Sequence, residues 1–126
     1  MLSGLIVYSK TDGEKNTWFI ETCQKRLFEH GVTLYYRDED IALRFVKEKH
    51  VDFVIYRGRD YRLVEQFEKL GMRCFNNSLT NKVANNKYLT YQFLEGLNIP
   101  CLKANLSYDK LQYPFVMKSV DGHGGT

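Results

Sequence analysis

The apolar runs of this chain do not alternate with polar residues. Leu5-Ile-Val-Tyr8, Val32-Thr-Leu-Tyr-Tyr36 and Val51-Asp-Phe-Val-Ile-Tyr56 are nearly continuous stretches of β-branched, aromatic and aliphatic residues. A strand with one face in water reads polar at every second position, whereas a strand covered on both faces reads as a run. Helices must therefore lie on both sides of the sheet, and the intervening segments supply them. Phe19, Cys23 and Leu27 stand four apart before Gly31, a second segment carries Ile41, Phe45 and Val46, and a third carries Val64, Phe67 and Leu70 before Gly71. The two glycines read as helix stops. With Met72-Arg-Cys-Phe75 as a fourth short strand, the order strand, helix, strand predicts a small doubly wound parallel α/β domain over residues 1 to 76.

A chain of 126 residues accommodates one such domain and the opening of a second, and by size buries roughly two thirds of its unfolded surface. Apolar residues make up 44% and charged residues 26%, which excludes a disordered tail. The 18 basic and 15 acidic residues, net +3, are spread along the length; without a stripe of one sign, nucleic acid is not an expected partner. Cys23, Cys74 and Cys101 are odd in number and lack metal-ligand spacing, so buried reduced thiols and a cytoplasmic location are expected. The first apolar run follows no basic segment and reads as a strand rather than a leader. No apolar stretch approaches the ~20 residues that a bilayer crossing needs, so no membrane partner is expected.

Beyond Phe75 the rhythm changes. Leu79 to Pro100 carries Leu89 and Phe93 on one helical face and reads as a single linking helix stopping at Gly96. Cys101–Leu106 and Tyr113–Val120 then read as two strands flanking a polar turn at Ser107 to Lys110, the start of a second and antiparallel sheet over residues 77 to 126. The sequence closes on Asp121-Gly-His-Gly-Gly-Thr126. A glycine-rich loop is useful when something follows to hold it or something binds beneath it, so the reading expects the front part of a longer protein.

The candidates for chemistry cluster at this end. Lys118 stands among Phe115, Val116, Met117 and Val120, and an ammonium in an apolar strand calls for an anion. Equally, an edge strand can point its lysine to water. Gly122, Gly124 and Gly125 can bring backbone N–H groups close to a phosphate, while Asp121-Gly122 alone also suits a hairpin turn. A lysine leading into such a loop offers a charge and a donor cup for one polyphosphate. His123 lies within the loop, facing phosphate or solvent. The Walker pattern is absent, and the first strand is followed by Ser9-Lys-Thr-Asp-Gly-Glu-Lys-Asn16, with one glycine where a dinucleotide fingerprint would have three. Lys87 stands near the start of the linking helix, a position more often simply solvated. Arg57 follows the third strand, at the sheet edge where open α/β folds bind ligands, and can hold a carboxylate. Asp60 reads as a helix cap. His30 and His50, each near a helix end, read as structural.

Taken together, Asn86-Lys87, Gly96-Leu-Asn-Ile-Pro100, Val116-Met-Lys118 and the Gly122–Gly125 loop resemble the ATP-grasp carboxylate-amine ligases, most closely the RimK-like glutamate ligase branch. The resemblance covers about the second half of the chain. It implies a pre-ATP-grasp α/β domain, a linking helix and the first strands of an ATP-grasp domain, with Lys87, Lys118, Gly122, His123, Gly124 and Gly125 around the ATP phosphates and Arg57 contacting substrate. Asn86 replaces the family's usual aspartate and Leu102 its second proline. The reaction implied is activation of a carboxylate as an acyl phosphate and its capture by an amine. ATP and a carboxylate and amine pair are thus the expected ligands. Mg²⁺ is the implied metal, its ligands expected downstream of Thr126, and homo-oligomerisation is left open. The fragment alone is expected to be inactive. Two rival readings are a stand-alone α/β ligand-binding or regulatory module without catalysis and a receiver-like domain phosphorylated at Asp12.

Overall fold

The computed structural model describes residues 1–122. The chain forms two compact units, Met1–Leu79 and Thr80–Thr126. Among the described residues there are four strands and six α-helices, and the four strands make one all-parallel sheet.

The first unit begins with β1 (Leu2–Tyr8), α1 (Lys10–Lys15), α2 (Thr17–Glu29), β2 (Val32–Asp38) and α3 (Glu39–Glu48). It continues with β3 (Phe53–Tyr56), α4 (Tyr61–Lys69) and β4 (Arg73–Phe75). The sheet order is β2-β1-β3-β4. Both faces of β1 are buried from Leu5 to Tyr8, and β3 buries Val54 and Tyr56 on one face with Phe53 and Ile55 half-buried on the other, as their unbroken apolar runs lead one to expect. Leu5 and Val7 pack with Ala42 and Val46 of α3 and with Val64 and Phe67 of α4. Ile6 and Tyr8 point the other way, to Ile20, Cys23 and Leu27 of α2. The chain thus winds to one side after β1 and to the other after β2 and β3, which puts the reversal between β1 and β3.

Gly31 and Gly71 follow α2 and α4 with φ of 76° and 80°, the left-handed geometry that stops a helix and that glycine adopts at least cost. The helical faces are turned relative to the sequence expectation. Ile20 rather than Phe19 is buried in α2, Ala42 rather than Ile41 in α3, and Leu63 joins Val64 and Phe67 in α4 while Leu70 is exposed. A stripe with i, i+4 spacing fixes a face only to within a residue, and contact with the sheet settles which neighbour faces it. The polar segment after β1 also differs from a plain loop, since Ser9 caps the six-residue α1 by accepting from the Asp12 N–H at 3.2 Å.

Helix α5 (Ser78–Ala84) straddles the division between the units and α6 (Lys87–Gly96) follows it. The single linking helix expected from the sequence is therefore two helices. Asn86 breaks it: extended at φ −126° and ψ 108°, it accepts the Leu89 N–H on its side chain and starts α6 afresh. The stop also shifts, because Gly96 is the last helical residue and Asn98 supplies the left-handed turn at φ 56°. Ile99 N–H bonds to Leu94 C=O and Asn98 N–H to Glu95 C=O, the paired closure of a Schellman motif.

The two further strands expected over Cys101–Leu106 and Tyr113–Val120 are a correction. Among the described residues beyond α6 the regular structure is one 3₁₀ turn, Tyr108–Lys110. A lone pair of strands is marginal without a third strand or a covering helix, and Pro114 removes a donor from the second segment. Val116 and Met117 are 77% and 80% exposed, so among the described residues they lack the cover that a pleated surface needs.

Candidate functional site

Two places collect the functional candidates, one in each unit. In Thr80–Thr126 the geometry centres on Lys87. Asn86 caps α6, so Lys87 is the first helical residue and its backbone N–H is one of the donors that a helix leaves unsatisfied. That N–H bonds to Val120 C=O at 2.9 Å, and Lys87 Nζ donates to Gly122 C=O at 2.5 Å, joining positions 35 residues apart. One residue thus clasps the start of the glycine loop with both its backbone and its side chain. Thr90 supports the entry to the helix, its hydroxyl donating to Val83 C=O and Asn86 C=O at 2.6 and 3.0 Å.

Lys118 is exposed and lies outside any strand, so burial in an apolar strand is not what distinguishes it. It stands two residues before Val120, which puts its Cα within about 7 Å of the residue that Lys87 holds. The clasp therefore brings Lys87 to Gly122, and Lys118 lies close to that point along the chain. His123, Gly124 and Gly125 lie outside the described residues. Magnesium takes oxygen ligands, and no group of three His, Cys, Asp or Glu side chains able to hold a metal is present among the described residues.

In Met1–Leu79 the candidate region is the carboxyl edge of the sheet at the reversal between β1 and β3. Arg57, exposed, directly follows β3, and its N–H bonds to Val7 C=O of β1 at 2.9 Å. Its guanidinium carbon lies 5.9 Å from the centre of the Phe19 ring, within cation–π range. Phe19, 40% exposed, is a residue that the sequence assigned to the core; the signal that it lay outward was Ile20 beside it, equally apolar and one position better placed.

Next to Arg57, a buried phenol organises the loop. Tyr56 Oη donates to Glu39 Oε1 at 2.5 Å and accepts the Asp60 N–H at 2.8 Å, while Asp60 caps α4 by accepting the Arg62 N–H at 3.0 Å. Burial, then the Glu39 carboxylate, pushes the Tyr56 phenol well above its ordinary value, so it stays a neutral donor. Gly58 lies so close that a Cβ there would fall on Glu39 Oε1 and Tyr56 Oη. This network went unseen in the sequence because its partners are 17 residues apart and its donor sits in an apolar run.

The thiols are free, as expected, but Cys101 is exposed and Cys23 half-buried; Cys74 alone is buried. No helix among the described residues is long and apolar enough to cross a membrane. His30 Nδ1 lies 2.9 Å from Arg26 C=O at the end of α2, and His50 lies 3.8 Å from Asp52. Asp12 pairs with the Ser9 hydroxyl at 3.0 Å.

Fold and site together define an α/β protein with a four-stranded parallel sheet and, in its second unit, a lysine-clasped glycine segment. No family model matches the chain. It is similar to the protein named "Uncharacterized protein MG011 homolog" of Mycoplasma pneumoniae (strain ATCC 29342 / M129 / Subtype 1), with 29% identity over 128 residues. That match covers 96% of this chain and 44% of the relative, so the chain spans less than half of that protein's length.

Proposed function

We propose that this chain is the N-terminal part of an ATP-dependent carboxylate-amine ligase of the ATP-grasp kind, and that Lys87, Lys118 and the glycine segment from Gly122 receive the nucleotide phosphates. The observation that carries the reading is the double clasp of Lys87 on Val120 and Gly122. It brings the Lys87 cation to the root of a glycine-rich loop 35 residues away in sequence, and Lys118 precedes that root by four residues along the chain. Donors and positive charge are what a polyphosphate requires, and a lysine already engaged by a carbonyl can exchange that acceptor for a phosphate oxygen.

A free carboxylate is a poor electrophile, and transfer of a phosphoryl group to it makes an acyl phosphate that an amine can attack. Under this reading Lys87 and Lys118 offset the charge on the transferring phosphoryl group, and the loop N–H groups fix its orientation. Arg57, at the sheet reversal of the first unit, is suited to pair with a carboxylate by charge-assisted hydrogen bonds. Magnesium, when bound, shields phosphate charge; its ligands belong to sequence beyond Thr126 under this reading. The chain by itself binds nucleotide weakly and turns nothing over, and sustained ADP release by it alone contradicts the assignment.

Calorimetric titration with ATP tests the phosphate contacts. Lys118→Ala and Lys87→Ala should each weaken binding by about tenfold or more, the size expected for losing a charge-assisted hydrogen bond. Unchanged affinity in both variants would favour a stand-alone ligand-binding module, for which the reversal point beside Arg57 is the natural site.

A further inference from the structure

β2 lies at the edge of the sheet and is seven residues long, whereas the opposite edge strand, β4, has three. Its first five residues, Val32-Thr-Leu-Tyr-Tyr36, are uncharged and almost all β-branched or aromatic. A long, uncharged edge of high β propensity invites another strand. The register shows which groups it would offer. Ser3 and Val7 carbonyls of β1 bond toward β3, to the Asp52 and Arg57 N–H groups, so the even-numbered residues of β1 face β2. In a parallel pair the partner opposite an inward-facing residue faces outward; with Ile6 opposite Tyr36 and Gly4 opposite Leu34, the Leu34 and Tyr36 backbone groups point away from the sheet.

Those two carbonyls are both occupied by side chains. Gln24 Nε2 of α2 donates to Leu34 C=O at 2.9 Å, and Arg37 Nη1 donates to Tyr36 C=O at 2.6 Å. Arg37 is steadied for this, its guanidinium carbon 4.3 Å from the centre of the Phe45 ring on α3. Bulk does not close the edge, because an open groove of about 300 Å³ runs along it between Ile20, Glu21 and Gln24 on one side and Tyr35, Tyr36 and Arg37 on the other.

We propose that Gln24 and Arg37 hold the free edge of the sheet shut, and that the strand they exclude is β2 of a second copy of this chain. A two-fold axis at Leu34 would set Val32-Thr-Leu-Tyr-Tyr36 antiparallel to itself, with Leu34 bonded to its own counterpart and Tyr36 C=O accepting from the Val32 N–H. The capped carbonyls are the acceptors that this ladder requires. The inference is independent of any nucleotide.

The test uses Gln24→Met and Arg37→Met together, which keep an unbranched side chain and remove the donors, with Lys47→Met on exposed α3 as a control for lost charge. Wild type and control should keep one sedimentation mass at all concentrations, with Leu34 and Tyr36 amides exchanging faster than those of Thr33, Tyr35 and Arg37. The double variant should rise toward twice that mass with concentration, its Leu34 and Tyr36 amides becoming protected in step. A folded double variant of constant mass overturns the proposal. So does a wild-type chain whose Leu34 and Tyr36 amides gain protection as concentration rises, a result that needs no variant to fold.

Discussion

A lysine at the head of a helix ordinarily extends into solvent; Lys87 does not, because Val120 and Gly122 offer carbonyls to its N–H and its ammonium. Asn86 sets this up by capping α6 one residue earlier, and the sequence showed the pair side by side without showing what they hold. Asn98 is a comparable case. Gly96 was the stronger stop signal by composition, yet the left-handed residue is Asn98 at φ 56°, and asparagine is among the few residues that tolerate it. Asn98→Val should lower stability by about 1–2 kcal/mol and Asn98→Gly should not, as read from urea unfolding midpoints. Gly58→Ala is the steric counterpart: its methyl group would displace Glu39 or Tyr56 and leave the buried phenol without an acceptor, a loss of about 1–3 kcal/mol by the same measurement.

At the scale of elements, the four parallel strands and the glycine stops at Gly31 and Gly71 were legible because both rest on local physics, apolar runs and positive φ. The faces of α2, α3 and α4 were legible only to within a residue. The antiparallel strands expected around Lys118 failed for a different reason: an apolar run reports that cover is needed, and among the described residues nothing covers Val116 and Met117. The core strand β4 makes a pH prediction. Burial, and behind it the Glu68 carboxylate, pushes the Cys74 thiol up from 9.0 to about 11. The folded state then keeps its proton after the unfolded chain has released one, so stability is full below pH 9 and declines as pH rises toward 11. Urea midpoints across this range should fall, and Cys74→Ala should fall less. The raised Tyr56 phenol adds a decline of the same sign above its ordinary value of 10.0, which Cys74→Ala leaves in place.

For the whole molecule, the first unit has a sheet with helices on both faces and a carboxyl edge at the β1–β3 reversal, while the described part of the second holds most of α5, α6, one 3₁₀ turn and a segment organised around Lys87. The resemblance to a ligase rests on the second unit, and there the expected strands are missing among the described residues while Lys87 holds Gly122. What favours nucleotide is therefore the cluster of Lys87 and Gly122, with Lys118 four residues earlier in the chain, rather than an apolar strand around Lys118. Following backbone amides by nuclear magnetic resonance during an ATP titration of the ¹⁵N-labelled chain tests that cluster most directly. The account predicts shifts concentrated at Lys87 and across Lys118 to Gly122, with Leu5 and Val54 in the sheet core unmoved. No shift at those residues, or shifts confined to the sheet edge around Arg57, would contradict it.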